Sequence, residues 1–407
     1  MPHDRLSALL AARHAALAES GGAKGPERVI RAMLPPQAGQ GPRFLLEGHG
    51  DTPFLRMNAN AYLGLSFAPE LAAAEEAAVR AYGTGPGAVR FISGTWAPHV
   101  ALERRLAAFH GREAAMIFSS AYATMMGLLP PLVDADTAVI SDALNHNCII
   151  NAIRLAAPAE KRVYAHLDLA ELEAQLKAMR GRCRRAIVVT DGIFSMRGDH
   201  APLDAVMDLA RRYDADFPEN LLVIVDDSHG VGAFGATGRG TEEATGASAD
   251  LLVATLGKAL GVNGGYVAGP RAVIGHLRET APFYVYSNPV TAGEAAAALA
   301  AVEILDSPRG HALLAHLRSM TARFETGLTA MGWETIPGAH PVVPLLVRDT
   351  ARTRKLVDHL FAHGILATGL GHPVVPRGEE EIRFQIAADH TEADIDQALA
   401  AIRGFPG

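Results

Sequence analysis

Cysteine is nearly absent from this chain of 407 residues: only Cys148 and Cys183 occur. Their separation matches neither a metal-ligand pattern nor a disulfide framework, so two unpaired thiols are expected. Tryptophan is equally scarce, at two residues. An excess of positive charge is missing too: 37 Lys and Arg against 44 Asp and Glu leave a net charge of −7. The basic residues are scattered singly, which argues against a nucleic-acid surface. No apolar run approaches the length of a membrane span, and no internal repeat or low-complexity tract is present. The opening MPHDRLSALLAARHAALAES carries charges inside its apolar pattern; it reads as an amphipathic helix and not as a signal peptide. These absences point to a soluble cytoplasmic protein. Hydrophobic residues at 49% and charged residues at 20% can build a sizeable core, and the length favours two lobes.

What the chain does contain is alternation. The short apolar runs AAMIF (114–118), TAVIS (137–141), RAIVVTDG (185–192), LLVIVDD (221–227) and LLVATLG (251–257) alternate with longer helical segments. Runs without polar interruption read as strands buried on both faces, and alternation with helices implies a parallel sheet. Segment 264–269 and Pro282 read as loop, and TAGEAAAALAAVEIL starts a long helix. From about residue 310 helical and strand-like segments mix, as in a small α+β lobe. The expected division is an N-terminal helix and arm (1–55), a large domain (56–298) and a small C-terminal domain (299–407).

The strand ends carry the polar residues. In LLVATLGKALGVNGGY (251–266) a single lysine, Lys258, follows the apolar run. It is not a P-loop lysine, because Leu252 replaces the first glycine and Ala259 stands where Ser or Thr belongs. GVGAFG (230–235) matches the dinucleotide glycine pattern, yet ATGRGTEEATG after it makes a poor helix. Other strand ends bring Asp226, Asp227, Ser228 and His229, then Asp191 and Ser195, then Thr255, then Asn145 and His146. Ser119 to Tyr122 open a helix whose free N–H groups suit a phosphate. Taken singly, each is an ordinary capping or core residue. Together they supply what pyridoxal 5′-phosphate requires: a lysine amine, a carboxylate for the ring nitrogen, a flat group over the ring and phosphate donors. Asp226 is chosen over Asp227 for the ring nitrogen, and His229 suits the phenolic oxygen.

These residues resemble a known family. TLGKALG with GGY, VDDSHG, SDALNH, TDGIFSM, NAYLGL, VRFISGT and HPVVPRGEEEIR look like the α-oxoamine synthases, over about residues 44 to 400. Within them, the chain is most similar to the glycine C-acetyltransferase (2-amino-3-ketobutyrate CoA ligase) branch. The resemblance implies an α/β fold of the fold-type I pyridoxal phosphate transferases. Its large domain would hold a mostly parallel seven-stranded sheet sandwiched by helices, beside a smaller α+β C-terminal domain. It implies Lys258 as Schiff-base lysine and general base, and His146 stacked on the ring. Ala121 and Tyr122 would serve the phosphate, with Ser195 and Thr255 near it. Ser287 and Asn288 would reach the partner's phosphate in a homodimer with shared active sites. Asn60 and Arg383 would hold the amino-acid carboxylate, a task that suits a planar guanidinium fork. No metal is implied.

The activity implied is an acyltransfer, condensing a small amino acid (glycine favoured) with an acyl-CoA (acetyl-CoA favoured). The alternative is a related synthase that takes alanine or serine, or a longer acyl-CoA, as an 8-amino-7-oxononanoate synthase does. An aminotransferase would normally carry tyrosine in place of His229. Ala61 stands where the family usually has Asn or Asp, and GVNGGY (261–266) is one residue shorter than is usual in the glycine acetyltransferase branch.

Overall fold

The computed structural model describes residues 1–19, 23, 25–372 and 375–406. Pro373 and Val374 of the HPVVPRG motif therefore lie outside the described residues. The chain forms two compact units, one of Met1–Ala59, Met320–Pro337 and Val342–Gly407, the other of Asn60–Ser319 and Gly338–Pro341. The sequence suggests a boundary at 298/299, whereas the units divide at 319/320. The reason is the alanine-rich helix Ala292–Leu305, which packs on the helices Pro69–Tyr82 and Ala97–Phe109. Its N-terminus is fixed by a capping box between Thr291 and Glu294.

The first unit begins with the helix Pro2–Glu19, in which every described side chain is exposed, Leu6, Leu9, Leu10 and Leu17 included. The expected helix forms, but it buries no apolar face within this chain. Strand β1 (Ile30–Leu34) pairs antiparallel with β2 (Arg43–Leu46), and β3 (Leu55–Arg56) comes next.

The second unit is built on a seven-stranded sheet of β4 (Ala114–Phe118), β5 (Thr137–Asp142), β6 (Glu160–Tyr164), β7 (Arg185–Asp191), β8 (Asn220–Asp226), β9 (Leu251–Thr255) and β10 (Gly265–Gly269), in the order β4-β10-β9-β8-β7-β5-β6. Neighbours from β6 to β9 run parallel, and β10 runs antiparallel to both β4 and β9. The segment 264–269, expected as loop, is thus a central strand. Its glycines mislead because they serve close packing. A Cβ on Gly265 would fall 2.2 Å from the Ala121 nitrogen, and one on Gly269 would fall 2.4 Å from Leu251 Cδ2. The residues between, Tyr266, Val267 and Ala268, are completely buried. The helix Ala121–Leu132 packs on β9 and β10, and Leu203–Tyr213 packs on β8. Met116, Val139, Ile187, Ile224 and Val253 share one core with Met125 and Leu128 of the first of these helices. Burying such side chains contributes about 1.5–3 kcal/mol each.

The rest of the first unit holds β11 (Glu334–Thr335), β12 (Val342–Leu346), β13 (Ile365–Leu366), β14 (Thr368–Leu370) and β15 (Glu381–Gln385). Four of these form an antiparallel sheet ordered β11-β12-β15-β14, while β13 pairs parallel with β3. The amino-terminal arm is locked to the last helix, Glu392–Arg403, through buried Asp394. That carboxylate accepts the Gly41 N–H at 2.9 Å and an Arg43 guanidinium N–H at 2.5 Å. Among the described residues no helix is long and apolar enough to cross a membrane.

Candidate active site

Parallel strands deliver their carboxyl ends to one edge of the sheet, which is where ligands bind in open α/β folds. In the second unit, that edge gathers most of the polar residues singled out above. Asp191 and Asp226 end β7 and β8 and are direct register partners; both are buried. Asp226 accepts the Ser228 N–H at 3.1 Å and the Cys148 thiol at 3.5 Å. Asp191 accepts the His146 N–H at 2.9 Å.

His146 sits at the end of the β5 connection as the N-cap of the helix Asn147–Ala156. Its Nδ1 accepts the Cys148 N–H at 3.2 Å, so the neutral ring carries its proton on Nε2. Burial lowers its pKa; Asp226 pulls the other way and Lys258 adds to the lowering. Asn145 fixes this turn, donating to the Val189 carbonyl at 2.8 Å and accepting the Asp191 N–H at 2.8 Å. Cys148, expected only as an unpaired thiol, lies between His146 and Asp226, with its sulfur 3.0 Å from His146 Nδ1. Burial raises the Cys148 pKa, and Asp226 raises it further, so the thiol stays neutral.

Asp226 and Asp227 differ in where their side chains go. Asp227 is completely buried and accepts both the N–H and the hydroxyl of Thr241, at 2.6 and 2.7 Å. A Cβ on Gly192, Gly230 or Gly240 would fall within 2.3 Å of its carboxylate. Asp227 is enclosed by glycine backbone and built into the core.

His229 is held from two sides. Its Nδ1 lies 2.7 Å from the hydroxyl of Tyr62, and its carbonyl accepts from His340 Nε2 at 2.8 Å. The Tyr62 hydroxyl also reaches Asn60 Oδ1 at 3.3 Å. Sequence reasoning misses Tyr62 and His340; the first lies inside NAYLGL, two residues after Asn60, and no signal in the residues alone marks it. For Asp191 the sequence supplies only its place at a strand end.

A helix N-terminus of the kind that can cradle a phosphate lies beside this edge. The helix Ala121–Leu132 is capped by Ser120, which takes the Ala123 N–H with its hydroxyl and the Thr124 N–H with its carbonyl. The first-turn N–H groups of Ala121 and Tyr122 remain for a ligand. Gly265 allows this helix end to close on β10. Thr255, at the end of β9, donates its hydroxyl to the Gly264 carbonyl at 3.1 Å and accepts the Gly257 N–H at 3.0 Å, shaping the loop that carries half-buried Lys258. Ser195 lies in the loop after β7. The Tyr122 hydroxyl points elsewhere, to Asn147 and Asn151. Ser287 and Asn288 come after the short helix Pro282–Val285 on a surface segment. Arg383 belongs to the first unit, at the middle of β15 between Pro344 and Thr368. Among the described residues no group of His, Cys, Asp and Glu is placed to hold a metal ion. The donor set does suit pyridoxal 5′-phosphate: an amine, a strand-end carboxylate, two histidines and a capped helix N-terminus with open N–H groups.

Comparison with known proteins agrees. The family described as aminotransferase class I and II matches residues 52–402. The mitochondrial 2-amino-3-ketobutyrate coenzyme A ligase of Bos taurus is 41% identical over 92% of this chain and 86% of its own. An 8-amino-7-oxononanoate synthase of Symbiobacterium thermophilum is 39% identical over 92% of this chain and 93% of its own. A high-resolution structure of SPT with its PLP internal aldimine superposes with a TM-score of 0.85 at 25% identity, covering 97% of this chain and 96% of that one. With Lys258, Asp226, His146 and His229 gathered at one edge of the sheet, the chain belongs to the aminotransferase class I and II family and, within it, to the pyridoxal 5′-phosphate-dependent α-oxoamine synthases.

Proposed function

We propose that this enzyme condenses a small amino acid, glycine foremost, with an acyl-CoA, acetyl-CoA foremost, releasing CoA and a β-keto acid, or an α-amino ketone where the carboxylate is also lost as carbon dioxide. The observation that carries this reading is that His146 senses both the Asp226 carboxylate and the Lys258 amine at one edge of the sheet. Bound pyridoxal phosphate supplies an electron sink that lets the amino-acid α-carbon give up a proton. The chain's residues do the rest. The Asp226 carboxylate would hold the ring nitrogen and favour its protonated form. His146 covers the ring, with its Nε2–H available as a donor. His229 serves the phenolic oxygen, and Ala121, Tyr122, Ser195 and Thr255 hold the phosphate. Arg383 and Asn60 orient the substrate carboxylate, and the Lys258 amine takes the α-proton as general base. Ser287 and Asn288 complete the partner's phosphate site in a cytoplasmic homodimer. Exposed Phe91, Ile92 and Tyr286, at 66%, 60% and 81%, support such an interface.

A second reading has equal support from the relatives: condensation with a longer acyl-CoA or with alanine or serine. The two named relatives differ by only 41% against 39% identity. The test is a matrix of amino acids against acyl-CoAs of rising chain length, scored by free thiol. Glycine with acetyl-CoA should give the fastest release. A maximum at alanine with a long acyl chain would select the second reading. Amino-group exchange with a keto acid, without thiol release, would overturn both.

A further inference from the structure

Two carboxylates stand at the end of adjacent strands in the second unit, yet only one has a task in the chemistry above. Asp191 and Asp226 are register partners on parallel β7 and β8, and their side chains leave the sheet on the same face. Adjacent strands lie about 4.8 Å apart, so two ionised carboxylates here would repel strongly in a region that both burials mark as poor in water. Their surroundings are unequal. Asp226 receives a backbone N–H and a thiol, while the Asp191 carboxylate receives one backbone N–H, from His146. The charged groups that act most on Asp191 are Asp226 from β8, Asp142 from the end of β5 and Lys258 from the loop after β9, while the Cys148 thiol, the Tyr164 phenol and His146 also face it. That is one cation against two further carboxylates.

We infer that Asp191 is a positioning residue that keeps its proton at neutral pH, so that the pair carries a single negative charge and that charge sits on Asp226. This rests on the reading of Asp226 as the partner of the cofactor's ring nitrogen. Burial, followed by repulsion from Asp226, moves Asp191 well above the ordinary carboxylate range, in keeping with the geometry. A neutral Asp191 does two things. It holds the His146 backbone through its Oδ2, which sets the ring where the helix Asn147–Ala156 begins. It also leaves Asp226 undiluted as the anion that faces the ring.

The experiment compares wild-type, Asp191→Asn and Asp191→Ser holoenzymes by titrating the visible absorbance of lysine-bound pyridoxal phosphate against pH. Either neutral replacement that folds reads the same quantity. If Asp191 is already neutral, the midpoint stays within roughly 0.5 pH unit of wild type. A fall of about one unit or more, a tenfold change in the proton equilibrium, would mean that a negative charge had been removed, and would overturn the inference. Failure of the site reading and failure of the inference look different. Wild-type protein that forms no visible band with added pyridoxal phosphate contradicts the reading of the site. A band that forms but moves in the variants contradicts only the proton on Asp191. Infrared spectra of the apoprotein at about pH 8 give a second readout, since a carboxyl that keeps its proton there is far above the ordinary range. A protonated-carboxyl stretch should be present and should weaken in Asp191→Asn, and its absence in wild type would sink the idea.

Discussion

The hydroxyl of Tyr62 lies 2.7 Å from His229 Nδ1, inside the second unit and completely shielded from solvent. Through the same hydroxyl, Asn60 is joined to His229, so a residue assigned to the substrate carboxylate and one assigned to the cofactor's phenolic oxygen share a partner. Tyr62→Phe leaves the packing and removes the link. A neutral hydrogen bond of this kind is worth about 1 kcal/mol, so kcat/KM should drop roughly five-fold, with a change in the pH dependence of the cofactor's absorbance. Identical pH profiles for variant and wild type would show that Tyr62 only fills space.

Lys258→Ala should remove both turnover and the visible band of the lysine-linked cofactor, while phosphate-side contacts still retain some cofactor. Asp226→Asn should keep the band but slow condensation by roughly 100-fold or more, since the charge facing the ring is lost. Absorbance spectra and steady-state thiol release check both. An Asp226→Asn enzyme at near wild-type rate would place the acid elsewhere.

Asp227 acts on stability. Burial raises its pKa to about 7, against the pull of its Thr241 hydrogen bonds. Between the ordinary value of 3.8 and about 7 the unfolded chain gives up this proton while the folded chain keeps it, so the group costs stability as pH rises through that window, and the cost is complete above 7. Asp227→Asn should therefore gain thermal stability relative to wild type between about pH 4.5 and about pH 8. At about pH 4.5, where Asp227 costs least, Asp227→Ala should lose about 1–3 kcal/mol, because the Thr241 N–H is left unpaired. Thermal melts of the three proteins at both pH values decide it.

His166 also loses stability as pH rises, but here the fold favours the charged form. Burial alone would lower its pKa, but hydrogen bonds to Asp142 and Asp199, both at 3.1 Å, raise it to about 9. The imidazolium clamps the end of β5 to the loop that carries Ser195, with its ring edge-on to Phe194 at 4.4 Å. Its contribution is complete below the ordinary 6.5 and disappears as pH rises through about 9. Wild type should lose melting temperature across that range by more than His166→Gln does. Parallel curves for the two would remove His166 from the account.

Gly265→Ala tests the cradle. The added carbon would meet the Ala121 nitrogen at 2.2 Å, where only backbone can yield. Cofactor affinity, read by absorbance titration, should fall at least tenfold, and the Ala121 and Tyr122 N–H groups should be the ones displaced. An affinity equal to wild type would mean that the helix end plays no part in holding phosphate.

Whether a feature could be read from the residues depends on where its cause lies. Four of the parallel strands, β5, β7, β8 and β9, are legible because burial on both faces writes an uninterrupted apolar run, as in LLVIV and AIVV; β6 is not, because EKRVY is a half-exposed edge strand with polar residues. Strand β10 was not, because its glycines answer to Ala121 and Leu251, residues distant in sequence. Asp226 could be favoured over Asp227 only by its strand position; the glycine enclosure around Asp227 appears once Gly192, Gly230 and Gly240 are brought together by the fold. Lys258, His146 and His229 were found as residues, but their supports were not. Tyr62, Cys148 and His340 have ordinary roles as single letters and acquire meaning only through a neighbour within hydrogen-bond reach. The exposure of the helix Pro2–Glu19 was missed since apolar spacing says nothing about what lies opposite.

Because β10 is antiparallel to β9, the lysine loop is the connection of a hairpin, pinned at Thr255 and again at Gly265, which are register partners. Inserting or deleting one residue in the loop cannot be passed into β10. It would turn Tyr266 and Val267 to the opposite faces and break the antiparallel match with β4 as well. Variation in length is thus confined to residues 256–264, on either side of Lys258. Evolution can change the reach and shape of this loop only at the reacting amine itself, which makes loop length a direct tuning element of the chemistry and leaves the scaffold untouched.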